Sequence, residues 1–270
     1  MRENDTIQPL GSEDLWGSLY DDVLTPSFPP AELDDRDTFL DQLRSGVLRA
    51  RGVVEEGRVV AGVMTLSFPR SSGPDTPGSV TLVLYLAIAP GRRGGGIGGA
   101  LLDDAVHDAL ESGADVVLVE VEHPDHHEAS EEHGDPVARL RFYARHGVRL
   151  LAVPYFQPAL GPGRERVPAL LLGTLGLSGT GVGSRRGSGE PSSVRAAPVR
   201  EFLRRYLAWC EGAVADDAAV RRLLKSVSGT EVALATPDEL DRVPVATLTG
   251  STRRAPAPEP GPGEETADDA

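Results

Sequence analysis

Apolar and polar positions along the first two-thirds of the chain divide it into short elements that alternate between helical and strand spacing. Phe39, Leu40 and Leu43 recur at helical spacing, and the pattern predicts helices from Asp14 to Leu24 and from Arg36 to Ser45. Two strand-like runs follow, Val47 to Glu55 and Arg58 to Phe68, and the Glu56-Gly57 pair between them predicts a tight antiparallel hairpin. Val80 to Ala89 is apolar throughout, as a central strand covered on both faces is, and Pro90-Gly91 ends it. A helix from Gly98 to Ser112 would bury Leu101, Leu102, Ala105, Ala109 and Leu110, and a strand from Asp115 to Glu122 follows directly. A helix from Pro136 to His146 and strand-like stretches at Leu150 to Leu160 and Val167 to Gly173 complete the pattern. This order indicates an α+β, or mixed α/β, fold whose sheet is parallel only across the helix at 98–112.

Glycine and proline mark the joints. The stretch from Phe68 to Gly78 reads as a hairpin loop, and residues 179–192, rich in glycine and serine without apolar periodicity, read as a flexible linker. That boundary gives a domain at 1–178 and a helical extension at 193–229. The remainder, 230–270, is expected to be largely disordered. Its last part, from Ser251, combines proline, glycine and acid with no aromatic residue and cannot offset its ordering entropy by burial. In the extension, Val199, Phe202, Leu203, Tyr206, Leu207 and Cys210 form one amphipathic stripe, and Val220, Leu223 and Leu224 a second. These helices suit either a cap on the core or a homodimer contact, and packing against the core is the simpler reading.

Charge and composition narrow the function. The chain of 270 residues carries 41 acidic against 27 basic side chains, a net charge of −14, which argues against nucleic acid or an anionic membrane as partner. Any anionic ligand therefore needs a local cluster of arginines. The longest apolar run is far shorter than the ~20 residues that span a bilayer, and the start Met1-Arg2-Glu3-Asn4-Asp5 lacks the apolar core of a secretion signal. The single cysteine, Cys210, can form no internal disulfide, so a cytoplasmic location is expected.

The candidate chemistry centres on Arg92-Arg93-Gly94-Gly95-Gly96-Ile97-Gly98-Gly99, between the buried strand and the helix. There, successive backbone N–H groups and the positive helix end can surround a phosphate, and two arginines add local charge. Five glycines in six positions let the main chain approach a pyrophosphate closely. Gly94-x-Gly96-x-x-Gly99 satisfies the dinucleotide fingerprint, with Glu120 or Glu122 about 20 residues on. Against that reading, Pro90-Gly91-Arg92-Arg93 separates the glycines from the strand, and the βαβ alternation does not continue.

The arginine-first spacing Arg93-x-x-Gly96-x-Gly98, preceded by Leu84-Tyr85-Leu86-Ala87-Ile88-Ala89-Pro90, resembles the acyl-coenzyme A signature of the GNAT acetyltransferase superfamily. Ile97, Leu101 and Leu102 occupy its apolar helix positions, and Arg141-Phe142-Tyr143-Ala144-Arg145-His146-Gly147-Val148 resembles its second motif. Asp135-Pro136 stands where that helix usually carries an asparagine, and Val148 where phenylalanine is common. The resemblance covers about residues 36–175. It implies a central mixed, mostly antiparallel sheet splayed between two parallel strands and flanked by helices. It also implies acetyl-CoA as co-substrate and transfer of acetyl to a primary amine of a small molecule, and no metal is expected.

By the same resemblance, the backbone of Leu86, Ala87 and Ile88 would pair with the pantetheine amides. Arg92, Arg93, Gly94, Gly95, Gly96, Ile97, Gly98 and Gly99 would hold the pyrophosphate. Tyr143 would be the acid that donates to the leaving sulfur. Strand alternation places Leu118, Glu120 and Glu122 on one face, so Glu120 and Glu122 are the candidate bases. The loop from Glu122 to His133 gathers four of the six histidines among acids. Its spacing fits no zinc signature, and it reads as an acidic border that attracts a cationic amine. Two alternatives remain at this point: an NAD(P)-binding oxidoreductase, and a non-catalytic acyl-CoA sensor.

Overall fold

The computed structural model describes residues 6–28, 33–68, 78–92, 95–130, 134–161, 163–178 and 191–248. Nine strands form one mixed sheet. In chain order they are β1 (Ile7–Pro9), β2 (Leu48–Glu55), β3 (Arg58–Ser67), β4 (Val80–Ile88), β5 (Val116–Glu122), β6 (Arg149–Leu151), β7 (Leu170–Leu177), β8 (Ser193–Arg195) and β9 (Glu231–Ala235). Their spatial order is β1-β2-β3-β4-β5-β7-β6-β9-β8. The β4–β5 pair is parallel, and every other pairing between these strands is antiparallel. The helices are α1 (Glu13–Ser18), α2 (Arg36–Arg44), α3 (Ile97–Glu111), α4 (Pro136–Arg145), α5 (Ala196–Glu211) and α6 (Ala218–Ser226). A π-helical turn, Leu19–Leu24, continues α1.

Two apolar layers sandwich the sheet. Leu19, Phe39, Leu82, Leu118, Tyr155 and Tyr206 belong to the layer under α2 and α5. Val83, Leu101, Leu102, Val117, Val119 and Tyr143 belong to the layer under α3 and α4. The alternation of Val117, Leu118 and Val119 between them is the period-2 pattern of a strand buried on both faces. The β2–β3 hairpin turns at Glu56 and Gly57, both at positive φ (48° and 80°), as a two-residue primed turn requires. Arg51 on β2 reaches Asp104 (2.5 and 3.1 Å) and Asp108 (3.1 Å), fastening α3 across the sheet.

One irregularity positions the site. Met64 pairs with Tyr85 but Thr65 pairs with Val83, so Leu84 is an extra residue on β4. Such a bulge bends its strand and turns the next side chains over. Accordingly Leu82 and Tyr85 share a layer, and Val83 shares the other with Leu86 and Ile88. Parallel pairing of β4 with β5 stops at Val83–Val119, one residue before the bulge. Beyond it the two strands part, and β4 stays paired only with β3 through Ile88.

Three expectations are corrected. Residues 230–248 are not disordered: β9 lies between β6 and β8, and Val232, Leu234 and Ala235 are buried. The segment at 193–229 is not a pure helical appendage either, because β8 extends the same sheet and α5 buries Phe202, Leu203, Tyr206 and Leu207 in the shared core. The expected strand from Leu150 to Leu160 shortens to β6, because Pro154 and Pro158 have no N–H to donate. The next strand begins at Leu170 and runs to Leu177. Strand β1, Ile7–Pro9, was not among the expected elements, and the remaining helices and strands fall within a few residues of their expected positions. Residues 69–77, 179–190 and 249–270 lie outside the described residues, and with them most of the expected loop and linker and all of the stretch from Ser251.

Candidate active site

The gap between β4 and β5 is built by backbone direction. Ala89 donates its N–H to Val60 O (2.9 Å), so Ala89 faces β3. Successive residues of a strand point their N–H and C=O groups to opposite sides. Ala87 and Tyr85 therefore face β3 as well, and Leu86 and Ile88 direct theirs into the gap. Of the expected residues 86–88, Leu86 and Ile88 lie on that edge, and Ala87 is turned to β3.

Beyond β4 the chain turns into α3. Gly96 takes φ +78° and caps the helix without a side-chain hydrogen bond, and the first turn carries no acidic residue. Ala100 is the first helical N–H to find an acceptor, Gly96 O at 3.2 Å. The N–H groups of Ile97, Gly98 and Gly99 precede it, as the donors at a helix start that have no acceptor within the helix. A Cβ on Gly95 would meet nothing within 4 Å, so one side of this turn is open. Gly99 is required by packing: a Cβ there would stand 2.9 Å from the His146 ring at the end of α4. That ring is fixed by Asp103, 2.8 Å from its Nδ1, so α3 and α4 meet at glycine. Arg92, expected on the phosphates, is held in an ion pair by Glu55 at the end of β2. Arg93 and Gly94 lie outside the described residues.

Glu120 sits on β5 one residue past the last β4 pairing. The Tyr155 hydroxyl donates to its Oε1, while Gln157 Nε2 and the Tyr206 hydroxyl lie 3.5 Å from its Oε2. Burial pushes the Glu120 carboxyl up to about 7, against the opposing pull of those three hydrogen bonds. It is thus half ionised at neutral pH. Glu122, the other candidate base, is held by Arg139 of α4 at 2.7 Å, with His127 Nδ1 3.9 Å away. His127 Nε2 in turn reaches the carbonyls of Pro168 and Ala169 (3.0 and 3.2 Å). The described part of the histidine loop therefore ties β5 to β7, and among the described residues no group of His, Cys, Asp or Glu could hold a metal ion.

Tyr143 projects from α4 into the layer opposite Glu120, 8% exposed. Its ring packs against Phe142 at 5.2 Å, and among the described residues its hydroxyl has no hydrogen-bond partner. Burial raises its pKa to about 12, the nearby Arg139 opposes the rise, and the charge of Glu120 adds to it. Tyr143 and Glu120 thus lie on opposite faces of the sheet, near enough for the carboxylate charge to act on the phenol. The helix that carries Tyr143 begins at Asp135, whose side chain accepts from Val137 N at 2.9 Å. Asparagine is replaced there by a residue that caps equally well. Cys210 is buried, its thiol pKa pushed up by that burial, as suits a packed thiol.

Sequence reasoning did not single out Tyr155, Gln157 or Tyr206 as site residues. Tyr206 was visible only as part of an apolar stripe, and nothing in the local sequence ties it to a glutamate 86 residues earlier.

The mixed sheet, splayed where a bulged strand leads into a glycine-capped helix, agrees with the GNAT-like fold expected from the sequence. Residues 15–147 match the acetyltransferase (GNAT) family, and this segment is a domain of that family. No curated protein matches it significantly. Among solved structures, a protein assigned to the GNAT acetyltransferase family from Bacteroides thetaiotaomicron aligns with TM-score 0.51 and 21% identity, over 75% of this chain and 96% of that one. The ribosomal-protein-S18-alanine N-acetyltransferase of Escherichia coli aligns with TM-score 0.43 and 19% identity, over 66% and 96%. A GNAT family acetyltransferase from Elizabethkingia anophelis, with acetyl-CoA bound, aligns with TM-score 0.39 and 15% identity, over 65% and 100%. Acetyl-CoA is the co-substrate expected of this chain, and the open edge of β4 and the unsatisfied donors of α3 suit it. No helix among the described residues is long and apolar enough to cross a membrane.

Proposed function

We propose that the chain transfers acetyl from acetyl-CoA to a primary amine of a small molecule, by direct attack with both substrates bound. The observation that carries this reading is Glu120: a carboxylate of near-neutral pKa, anchored by tyrosine, where β4 and β5 part. A base poised near the working pH combines a useful ionised fraction with a useful proton affinity.

Acetyl-CoA supplies an activated acyl group as its thioester. The main-chain N–H and C=O groups of Leu86 and Ile88 bind and orient the pantetheine arm along the open edge of β4. The N–H groups of Ile97, Gly98 and Gly99 meet the pyrophosphate at the positive end of α3. Glu120 takes a proton from the acceptor ammonium, freeing the nitrogen lone pair. As the C–N bond forms and the C–S bond breaks, a main-chain N–H on β4 donates to the carbonyl oxygen, where negative charge grows. Tyr143 donates a hydrogen bond to the departing sulfur. With a phenol pKa of about 12 against about 8.5 for an ordinary thiol, Tyr143 stabilises the thiolate and keeps most of its own proton, and the second proton, shed by the nitrogen as the amide forms, passes to the departing sulfur, so coenzyme A leaves as its thiol. Glu122 does not act as the base in this scheme, because Arg139 holds its carboxylate.

The test is turnover of acetyl-CoA with a panel of arylalkylamines, diamines, aminosugars and amino acids, detecting free thiol. Acetylation of at least one small amine, abolished in Glu120→Gln, is expected. Turnover confined to peptide amino termini would replace the small-molecule acceptor with a protein one.

A further inference from the structure

The carboxylate of Glu120 is gripped by side chains from two elements that both follow the segment matching the family, which ends at residue 147. Tyr155 and Gln157 come from the chain after β6, and Tyr206 from α5. Tyr155 and Tyr206 are 1% and 0% exposed, so neither hydroxyl can exchange its bond to Glu120 for bulk water. Both phenol pKa values are raised well above the ordinary value, mainly by burial. Both hydroxyls therefore keep their protons, and can donate to the carboxylate, at any working pH.

Resting on the proposed role of Glu120, we infer that Tyr155, seconded by Tyr206, is a positioning residue that holds the Glu120 carboxylate in its ionised form and fixes its aim into the β4–β5 gap. Anchored at Oε1 by Tyr155 and at Oε2 by Gln157 and Tyr206, the carboxylate cannot rotate freely. Burial alone favours the protonated acid, which cannot accept a proton from an amine, and donors to the ionised form counter that preference. Among the described residues, the groups around it supply no other counterweight. α5 contributes Tyr206 and the buried thiol of Cys210, and α4 contributes Tyr143, all of them neutral in this pH range. Arg139 is engaged by Glu122. The base is thus completed by the C-terminal layer, so this layer is part of the site and more than a cap.

The experiment is a 13C NMR titration of full-length protein labelled at glutamate side-chain carboxyls, without ligand, in wild type, Tyr155→Phe and Tyr206→Phe. The Glu120 resonance is identified by its loss in Glu120→Gln. In Tyr155→Phe the midpoint should rise by about one pH unit, and in Tyr206→Phe by less, because its contact is longer. Turnover of Tyr155→Phe with the best acceptor of the amine panel should fall at pH 7 and recover toward wild type at alkaline pH, where the carboxyl ionises unaided. A merely structural role would lower turnover equally at every pH and leave the midpoint in place. An unmoved midpoint in a folded Tyr155→Phe overturns the inference, and if that variant fails to fold, an unmoved midpoint in Tyr206→Phe does so. Retained turnover in Glu120→Gln would instead remove Glu120 from the reaction, a failure of the proposed function distinct from an unmoved midpoint.

Discussion

Replacing Glu120 by glutamine should stabilise the protein, and only at high pH. An ordinary glutamate ionises at 4.5, and Glu120 in the fold at about 7. Between those values the folded chain holds a proton that the unfolded chain releases. Folding is therefore unpenalised below pH 4.5 and is progressively penalised as pH rises through 7. Integrating the two titrations gives a loss of roughly 2.5 kcal/mol between pH 5 and pH 8 from this one group. Glutamine keeps the shape and an oxygen that accepts from Tyr155, but has no charge to bury. Urea unfolding of wild type and Glu120→Gln at both pH values measures the effect, and the histidines cancel because both chains carry them. The gap in stability should widen in favour of the variant by about 2 kcal/mol from pH 5 to pH 8. An equal gap at the two pH values would show that Glu120 ionises normally and would refute the argument from burial.

Two further outcomes follow from the same geometry. Tyr143→Phe should fold normally, since the lost hydroxyl has no partner among the described residues. It should lower kcat by about 100-fold with the KM for acetyl-CoA little changed, and an unchanged kcat would remove Tyr143 from the reaction. Gly99→Val should cost about 1–3 kcal/mol in urea unfolding, because its Cβ would stand 2.9 Å from His146. A variant as stable as wild type would show that α3 and α4 do not meet there.

What was legible in the sequence was local. The apolar run of β4, the glycine turn and the stripe of α3 lie in consecutive residues, so period and turn chemistry read them directly. Glu120 and Glu122 were placed on one face by alternation alone, yet their difference was not legible. Arg139 lies 17 residues beyond Glu122, and Tyr155 lies 35 beyond Glu120. Such pairings are set by packing of distant elements and leave no spacing signal. The partner of Arg92 was not legible for a related reason: Glu55, 37 residues earlier, is brought beside it by the β2–β3–β4 meander. β9 was overlooked because five residues next to a polar tail carry too short an alternation to stand out.

In the proposed reaction the parting of β4 and β5 receives the thioester between Tyr143 and Glu120. A crystal structure of the full chain with acetyl-CoA tests it most directly. The pantetheine arm should lie along residues 86–88, the pyrophosphate against the N–H groups of residues 97–99, and the sulfur beside the Tyr143 hydroxyl. Acetyl-CoA bound elsewhere, or a thioester that reaches neither Tyr143 nor Glu120, would contradict it.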